Sequence, residues 1–275
     1  MKPRLALLAL GVVVALLAQP PSPKTRPTRE EQERILDAVR TYAADYTKRL
    51  PDFICTQVTR RYTSAARRGI WDQPDVITIR LSFFGQQEEY KVISVNGQPS
   101  TLTMDQLGGV TSRGEFGTQM KMLFKPECRA RFEWKRWAAL RNRRMHVYSY
   151  RILRAHSQWH VRYENKNSAV IGYRGLIYVD KDTEMVAKIT AVAEDVPIAV
   201  PIQQAWSELD YDFVTINANE HLLPLRSVTH LSTARYQSRI EVEFREYRKF
   251  GSESKISFDT PEPLPKEKTE ERTIK

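Results

Sequence analysis

Apolar positions follow two different periods along this chain. From residue 29 onward they recur at Ile35, Leu36, Val39, Tyr42, Ala43 and Tyr46. Spacings of three and four gather them into one stripe of an α-helix. Thr28 stands at the N-cap position, Glu31 three residues later completes a capping box, and Pro51 stops the run near Leu50. Such a stripe must be buried, so the helix is expected to pack on a sheet.

Beyond Pro51 the period becomes two. Ile77, Ile79, Leu81 and Phe83 alternate with Thr78, Arg80 and Ser82, and Leu209, Tyr211 and Phe213 alternate with Asp210 and Asp212. Ile240, Val242 and Phe244 alternate with Glu241, Glu243 and Arg245. Each run predicts a strand with one dry and one wet face, the pattern of antiparallel sheets. Asn96-Gly97, Asp180 to Thr183 and Asn217 to Asn219 supply the intervening turns. The spacing predicts a meander of about ten strands between Phe53 and Phe258. One further short helix is expected from Glu115 to Phe124, ended by Pro126. The expected fold class is mainly β: a strongly curved antiparallel sheet, or incomplete β-barrel, with an N-terminal α-helix packed on it.

The two ends break these patterns. Lys2 and Arg4 precede an apolar run from Leu5 to Ala18, interrupted only by Gly11. This is the layout of a secretory signal peptide, and it falls short of the roughly 20 apolar residues that span a bilayer. Cleavage after residue 18 is expected, although Leu16 stands where a small residue is usual; without cleavage the segment becomes an N-terminal membrane anchor. No cysteine near the run offers the acylation site of a lipoprotein. The expected organisation is a signal peptide (1–18), a Pro-rich tether (19–28), a single domain (29–258) and a charged tail (259–275) with three prolines and little to bury. Such a tail is expected to be disordered. The expected location is periplasmic or secreted.

Export changes the reading of charge and cysteines. The 43 Lys and Arg exceed the 33 Asp and Glu, for a formal net charge of +10. Outside the cytoplasm the matching anions are lipid head groups, lipopolysaccharide phosphates or acidic glycans rather than nucleic acid; a solvated basic surface with no partner is the plain alternative. An oxidising compartment favours a disulfide between Cys55 and Cys128 over two buried thiols. The loop such a bridge closes would stabilise the fold by roughly 4 kcal/mol in the chain-entropy model.

No constellation of residues announces catalysis. His156 and His160 have helical metal spacing, but AHSQWHVRYE reads as a loop entering a strand, where four residues span roughly 13 Å. His146, His221 and His230 stand alone. The pairs Asp210 with Asp212 and Glu241 with Glu243 lie on wet strand faces, about 7 Å apart along the strand, and read as solvated polar surface. Neither a G-x-S-x-G elbow nor H-E-x-x-H is present. No catalytic residue, metal or cofactor is expected. The glycine-flanked segment TSRGEFGTQM could place Ser112, Arg113 and Glu115 near a ligand, but reads better as a connector. Lys125 to Arg144 is the densest basic stretch, with Phe132, Trp134 and Trp137 interleaved. One reading puts Phe132 and Trp134 inward on a strand. The other makes Arg131, Lys135, Arg136, Arg141, Arg143 and Arg144 candidate contacts for an anionic membrane surface.

The hairpin GLIYVDKDTEMVAKITAVAED, with its Asp-x-x-Thr turn, resembles hairpins of the periplasmic lipoprotein carriers and the related periplasmic sensors that regulate sigma factors. That resemblance implies an incompletely closed β-barrel with a helix over a hydrophobic cavity that binds acyl chains. The whole chain, including LPDFICTQ and RFEWKRWAALRNRR, is also similar to uncharacterised secreted bacterial proteins. The expected function is therefore a non-enzymatic envelope binding protein with a lipid or acyl-chain ligand and an anionic membrane or an envelope protein as partner. The rivals are an interaction module without a small ligand, and a hydrolase of envelope polymers.

Overall fold

The N-terminal helix forms where its stripe demands. α1 runs from Arg29 to Arg49, capped by Thr28, whose Oγ1 accepts from the Glu31 amide at 3.2 Å. Its buried residues are Ile35, Leu36, Val39, Ala43 and Tyr46, five of the six stripe positions. The computed structural model describes residues 25–65, 70–107, 115–163, 167–251 and 261–272. The expected signal peptide, most of the tether, and Ser112 and Arg113 lie outside these residues.

The strands follow in two runs. β1 (Phe53–Ala65), β2 (Asp75–Phe84), β3 (Gln87–Val95) and the short β4 (Gln98–Pro99) precede α2 (Thr118–Phe124). After α2 come β5 (Arg131–Leu140), β6 (Arg143–Ile152), β7 (His160–Tyr163), β8 (Asn167–Val170), β9 (Gly172–Asp180) and β10 (Val186–Glu194). Three long strands follow, β11 (Ile202–Ile216), β12 (Asn219–Thr233) and β13 (Tyr236–Lys249), and the chain reaches β14 (Glu271–Arg272). Twelve strands form one sheet in the order β14-β5-β6-β9-β10-β11-β12-β13-β1-β2-β3-β4, and β7 pairs with β8 apart from it. Every neighbouring pair is antiparallel. The sheet does not close on itself, because β14 and β4 are its two outer strands. The described residues between Phe53 and Phe258 hold thirteen strands, more than the expected ten, because short pieces without alternation, such as β4, β7 and β8, also join ladders.

Local chemistry sets the hairpins. Asn217 and Ala218 both have positive φ, +53° and +62°, which gives the β11–β12 turn the twist of its strands. At the β9–β10 turn Asp180 Oδ1 accepts from the Asp182 and Thr183 amides, both at 2.9 Å, and from Thr183 Oγ1 at 3.1 Å. The residues expected to mark this turn thus do so through one carboxylate.

One face of the sheet carries the core. Tyr148, Ile177, Val179, Ile189, Leu209, Tyr211 and Leu222 pack against α1 and α2. Tyr46 reaches through this layer to donate its hydroxyl to the Leu222 carbonyl at 2.9 Å. A second cluster joins Phe53, Leu81, Phe83, Phe116, Ile240, Val242 and Phe244 where β13 meets β1 and β2. That pairing of β13 with β1 is the one junction that ties the two ends of the meander together.

Three expectations are corrected. The expected disulfide is absent: Cys55 and Cys128 are buried free thiols. Cys55 belongs to the Phe53–Phe244 cluster and Cys128 to the cluster beneath α1, and burial pushes both thiols up from their ordinary pKa. The second correction concerns the expected disordered tail (259–275), whose described residues 261–272 lie along the sheet face opposite α1. There Arg60 and Arg245 donate to the Pro261 and Glu262 carbonyls, and the Leu264 amide donates to Glu243 at 2.9 Å. Lys188 donates to the Thr269 carbonyl at 3.0 Å, and Tyr178 to Glu271 at 2.8 Å. The tail has few apolar residues, but its backbone satisfies buried cations, a source of order that composition does not register. The third correction follows from the second: part of the expected wet face is dry, with Asp210 and Glu243 each 1% exposed.

Candidate functional site

A cavity of about 250 Å³ lies between α2 and the α1-covered face of the sheet. Gly117 makes the approach of the two helices possible. Its φ is +109°, and a Cβ there would sit 2.7 Å from Tyr46 and 2.8 Å from Thr47. α2 then turns Met120 and Leu123 into the core and leaves Thr118, Gln119 and Met122 along the cavity.

The opposite wall comes from alternate residues of neighbouring strands. Tyr173 of β9, Ala191 of β10, Ser207 of β11, and Ser227 and Thr229 of β12 line it. The small side chains of Ala191, Ser207, Ser227 and Thr229 leave the space that the larger Ile189 and Leu209 fill further along β10 and β11. Trp159 closes one end, edge-on to Tyr173 with ring centroids 5.2 Å apart. At the other end Glu115, 6% exposed, accepts from Ser227 Oγ at 3.3 Å. Gln119 reaches Ser207 Oγ at 3.5 Å. Desolvation pushes the Tyr173 and Tyr211 hydroxyls above their ordinary pKa, so both stay protonated donors. The lining contains no histidine, cysteine or lysine. It offers the aromatic and aliphatic surface of Trp159, Tyr173, Met122 and Ala191 beside hydroxyls, the Gln119 amide and the carboxyls of Glu115 and Glu208, a sheath for a slender, mainly apolar group.

The basic segment is divided by the fold. Phe132 and Trp134 pack inward, with Trp134 8% exposed, and Arg131 and Lys135 are exposed. Lys135 pairs with Glu133 at 2.6 Å and Arg136 with Glu271 at 2.8 Å. Arg141 is drawn inward, donating to the Lys268 carbonyl at 2.9 Å and pairing with Asp212 at 3.5 Å. Arg143 grips Asp180 at 2.7 Å and 3.2 Å and lies 4.8 Å from the Phe213 ring. Arg144 lies 3.9 Å from the Trp137 ring. The six candidates therefore form no single patch, and five of them serve partners within the chain.

The expected loose histidines separate in the same way. His146 is buried, and desolvation together with Arg144 lowers its pKa to about 4. His156 lies in a 3₁₀ turn and His160 opens β7. Among the described residues no group of three His, Cys, Asp or Glu side chains stands ready for a metal ion, and no helix is long and apolar enough to cross a membrane. Sequence reasoning missed Met122, Trp159, Tyr173 and Ala191. The small-residue steps at Ala191, Ser207 and Ser227 on otherwise bulky inner faces were the signal available.

No protein-family model matches the chain, and no curated protein matches it in sequence. Among solved structures it is similar to a LolA superfamily protein from Nitrosomonas europaea, with a TM-score of 0.37 and 10% identity over 79% of this chain and 94% of that one. It is also similar to a DUF1329 family protein from Desulfovibrio piger, with a TM-score of 0.37 and 11% identity over 80% and 95% of the two chains. An outer membrane lipoprotein-sorting protein domain from Vibrio parahaemolyticus gives a TM-score of 0.33 and 10% identity over 79% and 92%. A lipoprotein-sorting protein domain is thus among the structural neighbours of this chain.

Proposed function

We propose that this chain is a non-enzymatic binding protein of the cell envelope that holds one acyl chain, or a similarly slender apolar group, in the cavity beneath α2. The cavity carries this reading: Met122, Trp159, Tyr173 and Ala191 give it an apolar wall, beside the polar groups of Glu115, Thr118, Gln119, Ser207, Glu208, Ser227 and Thr229. Its volume lies just under the range of about 300–1,000 Å³ usual for sites that take drug-sized ligands. It accordingly suits a single chain rather than a whole phospholipid, with the head group left outside. Arg131, exposed on β5, remains available to anionic head groups.

The test is native mass spectrometry of protein exported from a bacterial host, before and after denaturation, followed by displacement of a fluorescent fatty acid. Released lipid, and displacement that Ala191→Phe weakens at least about tenfold while the fold is kept, support the reading. Protein of bare mature mass that also ignores the fluorescent fatty acid refutes it.

A further inference from the structure

The face of the sheet turned away from α1 carries a second site, built from one register row. Trp206 on β11 stands opposite His230 on β12, His230 opposite Arg239 on β13, and Arg239 opposite Tyr62 on β1. Aligned neighbours on four antiparallel strands point to the same face. Trp206 and His230 stack with centroids 5.4 Å apart and planes at 10°. The Arg239 guanidinium lies 4.4 Å from the Tyr62 ring and 4.9 Å from that of Trp71.

Trp71 comes from the connection into β2 and forms a wall over this row. It stands edge-on to His230 at 6.1 Å and to Tyr62 at 6.4 Å. Asp72 fixes it to β1, its amide donating to the Thr63 carbonyl at 2.8 Å and its carboxylate accepting from Thr63 Oγ1 at 3.0 Å. The rows on either side add polar groups, Gln204 and Gln237 on one, Glu208 and Glu241 flanking Val228 on the other, with Arg226 beyond. His230, 9% exposed, also lines the groove, and its Nδ1 is buried without a hydrogen-bond partner.

The resulting groove measures about 490 Å³. It meets a second, of about 410 Å³, that shares Glu208, Arg226 and Glu241 and runs under Leu264 and Thr269 of the C-terminal segment. The two form an extended track rather than a single pocket.

The lining selects a ligand class. Arg226 and Arg239 pair with Glu241 at 3.6 Å and 3.2 Å, and Lys188 pairs with Glu208 at 3.0 Å, so the carboxylates and cations of the floor offset one another and favour neither a polyanion nor a polycation. Its density of donors and acceptors makes it a poor bed for an acyl chain. Neutral amides, carboxylates and guanidinium forks together offer paired donors and acceptors at short spacing, and indole rings offer flat apolar surface beside them. We infer that this groove binds a neutral oligosaccharide, with the apolar C–H faces of its sugar rings on Trp206 and Trp71 and its hydroxyls bonded to Gln204, Gln237, Glu208 and Glu241. The cavity beneath α2 lies on the other face, with Glu208 lining both; Trp206, His230, Gln237 and Arg239 line this groove alone.

Tryptophan fluorescence and calorimetry with tri-N-acetylchitotriose, cellotriose and maltotriose test it on the mature chain. At least one trisaccharide is expected to shift the emission and bind with a Kd below roughly 1 mM. Trp206→Ala and Gln237→Ala should each weaken that binding at least about tenfold; Trp206→Phe should retain most of it, and Gln98→Ala, exposed on β4 at the far edge of the sheet, should leave it unchanged. Gln237→Ala keeps the test valid should Trp206→Ala fail to fold. No heat or emission change with any of the three sugars overturns the proposal. So does binding that survives both alanine variants, or a response only to heparin, which would mark a polyanion surface. Fatty-acid displacement measured on the same variants reports the cavity alone, so the two proposals fail separately.

Discussion

Gly175 is the residue at which one methyl group should matter most. It lies in β9 between Tyr150 of β6 and Ala191 of β10. A Cβ there would stand 1.8 Å from the Thr190 carbonyl oxygen, 2.7 Å from its carbon and 2.9 Å from the Tyr150 hydroxyl. The open space is used: the Tyr150 side chain crosses Gly175 to donate its hydroxyl to that same carbonyl at 2.8 Å. Gly175→Ala must therefore displace backbone in the β9–β10 ladder and push Tyr150 off its acceptor. Overpacking of this kind costs about 1–3 kcal/mol, and the lost buried hydrogen bond adds about 1 kcal/mol. Each kcal/mol lowers Tm by roughly 2–4 °C at this size, so a fall of several degrees at least is expected in thermal unfolding followed by circular dichroism. Tyr150→Phe alone should cost about 1 kcal/mol. The double variant should be less unstable than the sum, because the phenyl ring no longer needs to reach past residue 175. A Gly175→Ala protein as stable as the parent, or strict additivity in the double variant, would refute the reasoning.

Two buried groups should make acid stability depend on opposing titrations. Burial lowers His146 to about 4, so its contribution is present above the ordinary histidine value and is lost as pH falls from about 6.5 toward 4. Burial raises Asp210 to about 6 against the pull of Lys188 and Arg141, so its contribution is present below the ordinary carboxylate value and is lost as pH rises through about 6. Urea unfolding between pH 4 and 7 should show His146→Gln losing less stability on acidification than the parent, and Asp210→Asn losing more; parallel curves for all three proteins would contradict both assignments. Deleting residues 261–275 should strip hydrogen bonds from Arg60, Lys188 and Glu243. At about 1.5–3 kcal/mol for each bond to a charged group, this should lower Tm by several degrees, and an unchanged Tm would show that the segment adds no stability. Thiol titration should find both cysteines only after denaturation, and reductant should leave Tm unchanged; a reductant-sensitive Tm would restore the disulfide.

Sequence alone determined the elements whose physics is local. The stripe of α1, its Thr28 cap, the alternation in β2, β11 and β13, and the turns at Asp180 and Asn217 all depend on residues within one turn or one hairpin of each other. The inward placement of Trp134 was legible for the same reason. Only the tertiary structure decided what depends on distant partners. β13 pairs with β1 across almost the whole domain, which puts Arg60 beside Glu243 at 3.1 Å. Burial works against the Glu243 charge, yet the Leu264 amide, Arg245 and Arg60 hold its carboxyl below the usual value. Alternation marked these positions as wet, because a polar residue reads the same whether water or a buried partner satisfies it. The candidate sites were hidden by the same limit. The cavity beneath α2 is a deficit of volume shared by four strands and a helix, and the outer groove is a row of four residues on four strands. Neither has any sequence periodicity, since register across a sheet is set by side-chain burial and turn geometry acting on the chain as a whole.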